Sequence, residues 1–228
     1  VVVTARTAQP GKFPGTIHET AEAVRGLGGE ALPVPCNVAD EASVQAMVDT
    51  VLSQWGEIHI LVNNAGVGSY LPFMETTVKV WDLIMAVNLR GAFLCSRAVL
   101  PHMIDRRRGS IVNISSTAAN SVFSMTIPRE GERTLVGIAY GVSKASLERL
   151  TTGLAAEVGR HNIAVNALKP GRPVLTEALK THLPQSDWET WASTEKMVRA
   201  AVFLSAQDAS GVTGAVTTDE ELLVRRGL

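Results

Sequence analysis

Residues 41–66 read EASVQAMVDTVLSQWGEIHILVNNAG. Val44, Met47, Val48, Val51, Leu52 and Trp55 recur at the i, i+3, i+4, i+7, i+8 spacing of a helix with one apolar stripe. Gly56 ends that helix. The run IHILV at 58–62 is short, continuous and apolar, as in a strand covered on both faces. It passes straight into the small, polar NNAG. An amphipathic helix, a buried strand and a small-residue loop at its carboxyl end make one unit of an α/β sheet.

The same unit recurs in both directions. Upstream, VVVTA at 1–5 predicts a buried strand and the Pro/Gly-rich 9–15 a loop. Ile17, Ala21, Val24 and Leu27 predict a helix stopped by Gly28 and Gly29, and 31–40 a strand running into a loop. Downstream, helix is expected over 78–105 and from Tyr140 to His161, with strands at 110–115 and 163–171. Residues 117–138 read as irregular, and EKMVRAAVFLSA predicts a further helix before a last strand near VTGAVTT. Strands alternating with helices predict one doubly wound parallel sheet in a single domain over 1–228, with ligands at the carboxyl ends of the strands. Arg6, Asn37, Asn64, Ser116 and Gly171 each follow a predicted strand.

The bulk properties narrow the function classes. The chain has 228 residues and a net charge of −1, which offers no general attraction to nucleic acid or anionic membrane. Arg106, Arg107 and Arg108 form a local basic cluster best suited to ending a helix. Cys36 and Cys95 have no disulfide or metal spacing and read as buried packing residues in a reducing, cytoplasmic compartment. No signal-peptide pattern is present, and no apolar run is expected to approach membrane-spanning length. The five histidines are scattered, without ligand spacing.

Tyr140 and Lys144 lie one helical turn apart, and Tyr70 is the only other tyrosine. Around them stand CNVAD at 36–40, LVNNAG at 61–66, VNLRGAF at 87–93, GSIVNISS at 109–116, YGVSK at 140–144, NALKPG at 166–171 and FLSAQDASGVTG at 203–214. Seven pieces in this order resemble the short-chain dehydrogenase/reductase family over nearly the whole chain. The resemblance implies a Rossmann-like fold and hydride transfer between a nicotinamide cofactor and a carbonyl or alcohol carbon. It makes Tyr140 the acid/base, Lys144 the cation that lowers the phenol's pKa and holds the nicotinamide ribose, Ser116 the substrate orienter and Asn88 the support of the proton relay.

Cofactor contacts implied by position are Asn37 and Val38 beside the adenine, and Asn64, Ala65 and Gly66 along the cofactor. Pro170 and Gly171 fall beside the nicotinamide, with Val174 and Thr176 at its carboxamide. Arg6 stands where an acidic residue would favour NAD. It suits a 2′-phosphate instead, so NADP(H) is expected over NAD(H). A small-molecule carbonyl or alcohol is the expected substrate. A homodimer or tetramer through the two long helices is the expected assembly.

The chain departs from the family pattern in three places. It contains no TGxxxGxG turn and opens on what resembles the family's second strand, so a chain truncated at its N-terminus is expected. Two readings follow: an enzyme, or a non-catalytic homologue serving as a binding or scaffolding subunit. Ser116 and Tyr140 are 24 residues apart, which predicts an elaborated rim to the cleft. Asp219, Glu220 and Glu221 replace the usual end of the last strand. A substrate-side flap is expected over 176–200, with Trp188 and Trp191 available to substrate.

Overall fold

The computed structural model describes residues 1–11, 15–69, 71–120, 137–174 and 191–228. In chain order the elements are β1 (Val2–Ala5), α1 (Ile17–Gly26), β2 (Leu32–Pro35), α2 (Glu41–Trp55), β3 (Ile60–Asn63), α3 (Val78–Met85) and α4 (Gly91–Arg106). They continue with β4 (Gly109–Ile114), α5 (Ile138–Val158), β5 (Ile163–Lys169), α6 (Glu195–Ser205), β6 (Val216–Thr218) and α7 (Asp219–Arg226). Every strand pair is parallel.

The stretch that sets the fold behaves as its pattern requires. Asp40 caps α2 by accepting from the Ser43 N–H, Val44, Met47, Val48 and Val51 are buried, and Gly56 closes the helix at φ 75°. Residues 86–90 form a π turn that joins α3 to α4. The run Val78–Arg106 is therefore helical throughout, 29 residues that are long and apolar enough, by length and composition only, to cross a membrane. No uninterrupted apolar run of that length lies within it, since Lys79, Asp82, Arg90 and Arg97 break the sequence. Interspersed polar residues hide it from a search for consecutive apolar ones, and Ile84, Leu94, Val99 and Met103 are buried inside the protein.

The strands form a four-stranded sheet, β3-β4-β5-β6, and a separate pair, β1-β2. Alternation along β4 and β5 builds a core on each face of the larger sheet. Ile111, Ile163 and Val165 join Val48, Leu94, Val99 and Val158 on one side. Val112 and Leu168 join Ala200, Leu204 and Leu222 on the other. This is the doubly wound arrangement. Val34 and Cys36 from the β1-β2 side share the first core, so packing unites the two sheets where hydrogen bonds do not. Among the described residues β3 pairs only with β4, and Ile60 and Val62 remain 47% and 44% exposed.

The arginine cluster ends a helix, as expected. Arg107 takes φ 51° at the end of α4, and Arg106 pairs with Glu57 at 3.1 Å. The tail holds an element that the sequence reading lacked. Thr218 and Glu221 form a capping box, so the acidic stretch that disturbs the family pattern is the first turn of α7.

Candidate active site

Tyr140 and Lys144 project from the first turns of α5. The helix begins after Gly137, at φ 56°, and can lie against the turn that follows β4 only because residue 141 is glycine. A Cβ there would stand 2.7 Å from the Ala118 carbonyl oxygen. That approach brings Ser116 beside the start of α5. The two serines after β4 then divide. Ser115 is buried and donates to Glu148 at 2.8 Å, whereas Ser116 is partly exposed and accepts from the Ala118 N–H at 3.2 Å.

Lys144 is only 4% exposed. Its ammonium donates to the Ile114 carbonyl at 2.7 Å and lies 5.7 Å from the centroid of the Tyr140 ring. Burial pulls its pKa from 10.5 down to about 8. A lysine held this way is a cation whose charge is weakly screened and fixed in place.

Asn88 sits in the π turn and is almost fully buried. Its side chain accepts from the Val67 N–H at 2.8 Å and donates to the Val67 carbonyl at 2.9 Å, locking the loop after β3. It also donates to Ser143 Oγ at 2.9 Å, and Ser143 donates to the Tyr140 carbonyl at 2.7 Å. The loop thereby reaches the other groups. A Cβ on Gly66 would lie 3.6 Å from Asn88 Oδ1 and 3.7 Å from Lys144 Nζ, and one on Gly68 would lie 3.6 Å from the Tyr140 ring. Asn64, Ala65 and Gly66 are exposed. Asn63, by contrast, donates to Asn113 at 2.8 Å and ties β3 to β4.

The other predicted contacts are spread along the same strand ends. Val38 packs on Gly91, where a Cβ would come within 2.9 Å of it, and lines one small cavity with Ala65 and Asn88. Asn37 is exposed and accepts from the Ala39 N–H at 3.2 Å. Arg6 is exposed beyond β1 and makes no hydrogen bond or ion pair with the other described residues. Pro170 is partly buried, and Gly171 donates its N–H to the buried Asp219 at 2.7 Å. Val174 bridges to Ala192, so the chain on either side of 175–190 is held together. Thr176, Trp188, most of the expected rim and most of the expected flap lie outside the described residues. From Glu195 onward the flap range is the start of α6.

Four polar residues of this site were missed. Ser143 carries a legible signal, since it is three residues from Tyr140 and one from Lys144. Glu148 repeats the four-residue step beyond Lys144. Lys169 and Asp219 reach their partners only through the fold.

A parallel α/β sheet thus carries a buried lysine one turn beyond a tyrosine, with a glycine loop against both and a serine on the turn packed at the start of the same helix. The family described as enoyl-(acyl carrier protein) reductase matches residues 12–219. The chain belongs to the short-chain dehydrogenase/reductase family. It is 32% identical over 230 residues to hydroxysteroid dehydrogenase-like protein 2 of Danio rerio, matching 100% of this chain and 52% of that protein. The chain thus spans about half the length of that relative. It is 33% identical over 196 residues to 5-keto-D-gluconate 5-reductase of Escherichia coli, with 82% of this chain and 73% of that one covered. Among solved structures it is similar to a gluconate 5-dehydrogenase from Burkholderia cenocepacia in complex with NADP and tartrate. That match has a TM-score of 0.77 and 28% identity, covering 95% of this chain and 82% of that one.

Proposed function

We propose that the protein is an oxidoreductase that transfers hydride between NADP(H) and a carbonyl or alcohol carbon, with Tyr140 as the acid/base. The observation that carries this reading is the buried Lys144 ammonium, fixed by Ile114 beside the Tyr140 ring. A neutral phenol gives up its proton with a pKa of ~10, and a nearby unscreened cation favours the phenolate.

The residues present fit the cofactor at both of its ends. A Cβ on Gly66 would occupy the space in front of Lys144 Nζ, so the glycine leaves room there for a sugar hydroxyl. At the other end Arg6 offers a guanidinium to the 2′-phosphate, with Asn37 and Val38 toward the adenine. Asn64, Ala65, Pro170, Gly171, Val174 and Thr176 complete the proposed contacts. The complex of the Burkholderia relative with NADP supports this choice over NAD(H). When bound, the nicotinamide supplies the hydride chemistry that no side chain can.

Around it each residue has its own task. Ser116 Oγ accepts from Ala118 and keeps its hydrogen to donate to the substrate oxygen. Tyr140 passes its proton to that oxygen as the carbonyl is reduced, and takes one back in the reverse direction. Lys144 stabilises the phenolate between those events. Asn88 supports the relay by holding Val67 and Ser143 in place on either side of it.

A small carbonyl compound, with 5-keto-D-gluconate and a ketosteroid as first probes, is the proposed substrate class. A homo-oligomer is proposed through α4 and α5, where Phe93 and Val142 are exposed and Met85, Leu89, Phe93 and Leu150 line an apolar groove. Phe93→Glu lowers the mass measured by light scattering if this surface is the interface. The test of the function is a fluorescence titration with NADPH and NADH, followed by cofactor oxidation with the two probes. NADPH-selective binding with turnover is expected. The second reading is a non-catalytic binding or scaffolding subunit. A folded chain that binds neither cofactor decides for that one.

A further inference from the structure

The ladder between β4 and β5 runs to Ile114 and Leu168, and the Ser115 N–H adds one more bond, to the Leu168 carbonyl at 2.8 Å. Ser116 is the next residue, beyond the reach of the sheet. Among the described residues its only backbone partner is local: its carbonyl accepts from the Ala119 N–H at 3.0 Å, which shapes the turn but does not tie it to the sheet or to α5.

Side chains supply what the ladder lacks. Glu148, on α5 one turn past Lys144, is 7% exposed. Its Oε1 accepts from Ser115 Oγ at 2.8 Å and from Lys169 Nζ at 3.0 Å. Lys169, the last residue of β5, also donates to Asn120 Oδ1. The turn carrying Ser116 is thus anchored at both ends, at Ser115 and at Asn120. Both anchors converge on one Glu148–Lys169 pair.

The position of that pair is informative. A buried ion pair adds little net stability, because desolvation offsets most of the attraction. It does fix geometry, since each charge must keep its partners. Here it joins the ends of two strands to the helix that bears Tyr140 and Lys144.

We propose that Glu148 is a positioning residue for the reaction: its carboxylate, shared between Ser115 and Lys169, sets the place of Ser116 relative to Tyr140 and Lys144. This role rests on the oxidoreductase reading above, while the clamp itself does not.

The test uses Glu148→Gln, Lys169→Met and the double variant in the full chain. The double variant removes both charges and leaves neither buried alone, so it keeps the question answerable if a single variant fails to fold. The first readout is amide hydrogen exchange at Ala118, whose N–H bonds to Ser116 Oγ. An increase of about tenfold or more at Ala118 is expected, with Val112 and Asn113 in the ladder unchanged. The second is NADPH oxidation with 5-keto-D-gluconate, where kcat is expected to fall with KM nearly constant.

Unchanged exchange at Ala118, or an equal rise throughout the ladder, overturns the clamp. Loosened exchange with kcat intact overturns the positioning role. A parent chain that turns over no carbonyl while Ala118 still loosens in the variants overturns the oxidoreductase reading and leaves the clamp standing.

Discussion

The two ends of the molecule hold their functional residues in opposite ways. At the β4-β5 end, Ser116, Tyr140 and Lys144 are set by a six-residue register, a buried ion pair and a helix that touches the backbone of the neighbouring turn. At the β1-β2 end, Arg6 and Asn37 lie just beyond four-residue strands that share only one side of the core. The contrast matches the work proposed for each. Proton transfer needs atoms fixed within a fraction of an ångström, whereas reading a charged phosphate tolerates a mobile, solvated guanidinium.

Four measurements break or sharpen that contrast. Tyr140→Phe is expected to cost about 10²- to 10⁴-fold in turnover, by steady-state kinetics, with NADPH affinity nearly intact. Retained turnover removes the chemistry from the rigid end. Leu168→Ala, in the centre of the rigid core, should cost about 2–5 kcal/mol in urea unfolding. Val2→Ala at the thin end should cost less than half as much.

Lys144 gives a pH signature with a definite sign. Its folded pKa is about 8 against 10.5 unfolded, so below pH 8 the ammonium is charged in both states and folding bears the whole cost of burying it. From about pH 8 to 10.5 the unfolded chain binds the extra proton, and that cost is relieved. The unfolding free energy of the parent should therefore gain about 3 kcal/mol on that of Lys144→Met across this window. A constant difference between the two chains means that the lysine is solvated. The smallest effect belongs to the open end. Arg6→Ala should weaken NADPH about tenfold and leave NADH unchanged, by fluorescence titration.

Much of this was legible in the chain because it is written locally. The stripe from Val44 to Val51, the Asp40 cap and the Gly56 stop define α2 without reference to anything distant. Tyr140 and Lys144 share a helix face by spacing alone. The chain could not show on which side each serine after β4 falls, since that depends on where α5 lies. Nor could it show that Lys169 meets Glu148, because 21 residues separate them and only the crossover from α5 to β5 brings them together. The separation of β1-β2 from the larger sheet is likewise a matter of neighbours across space. The α7 helix is a different case. Its Thr-x-x-Glu signature, Thr218 to Glu221, is local and legible in the chain, although it falls where the family pattern ends its last strand.

The bridge between Val174 and Ala192 has a consequence for engineering. It brings the two ends of the intervening stretch together before that stretch begins, so the stretch can be exchanged as a cassette. For a flexible insert placed between these residues, doubling the length costs only about 0.6 kcal/mol in closure entropy. Segments drawn from relatives could be grafted between these two residues, with both junctions already in place.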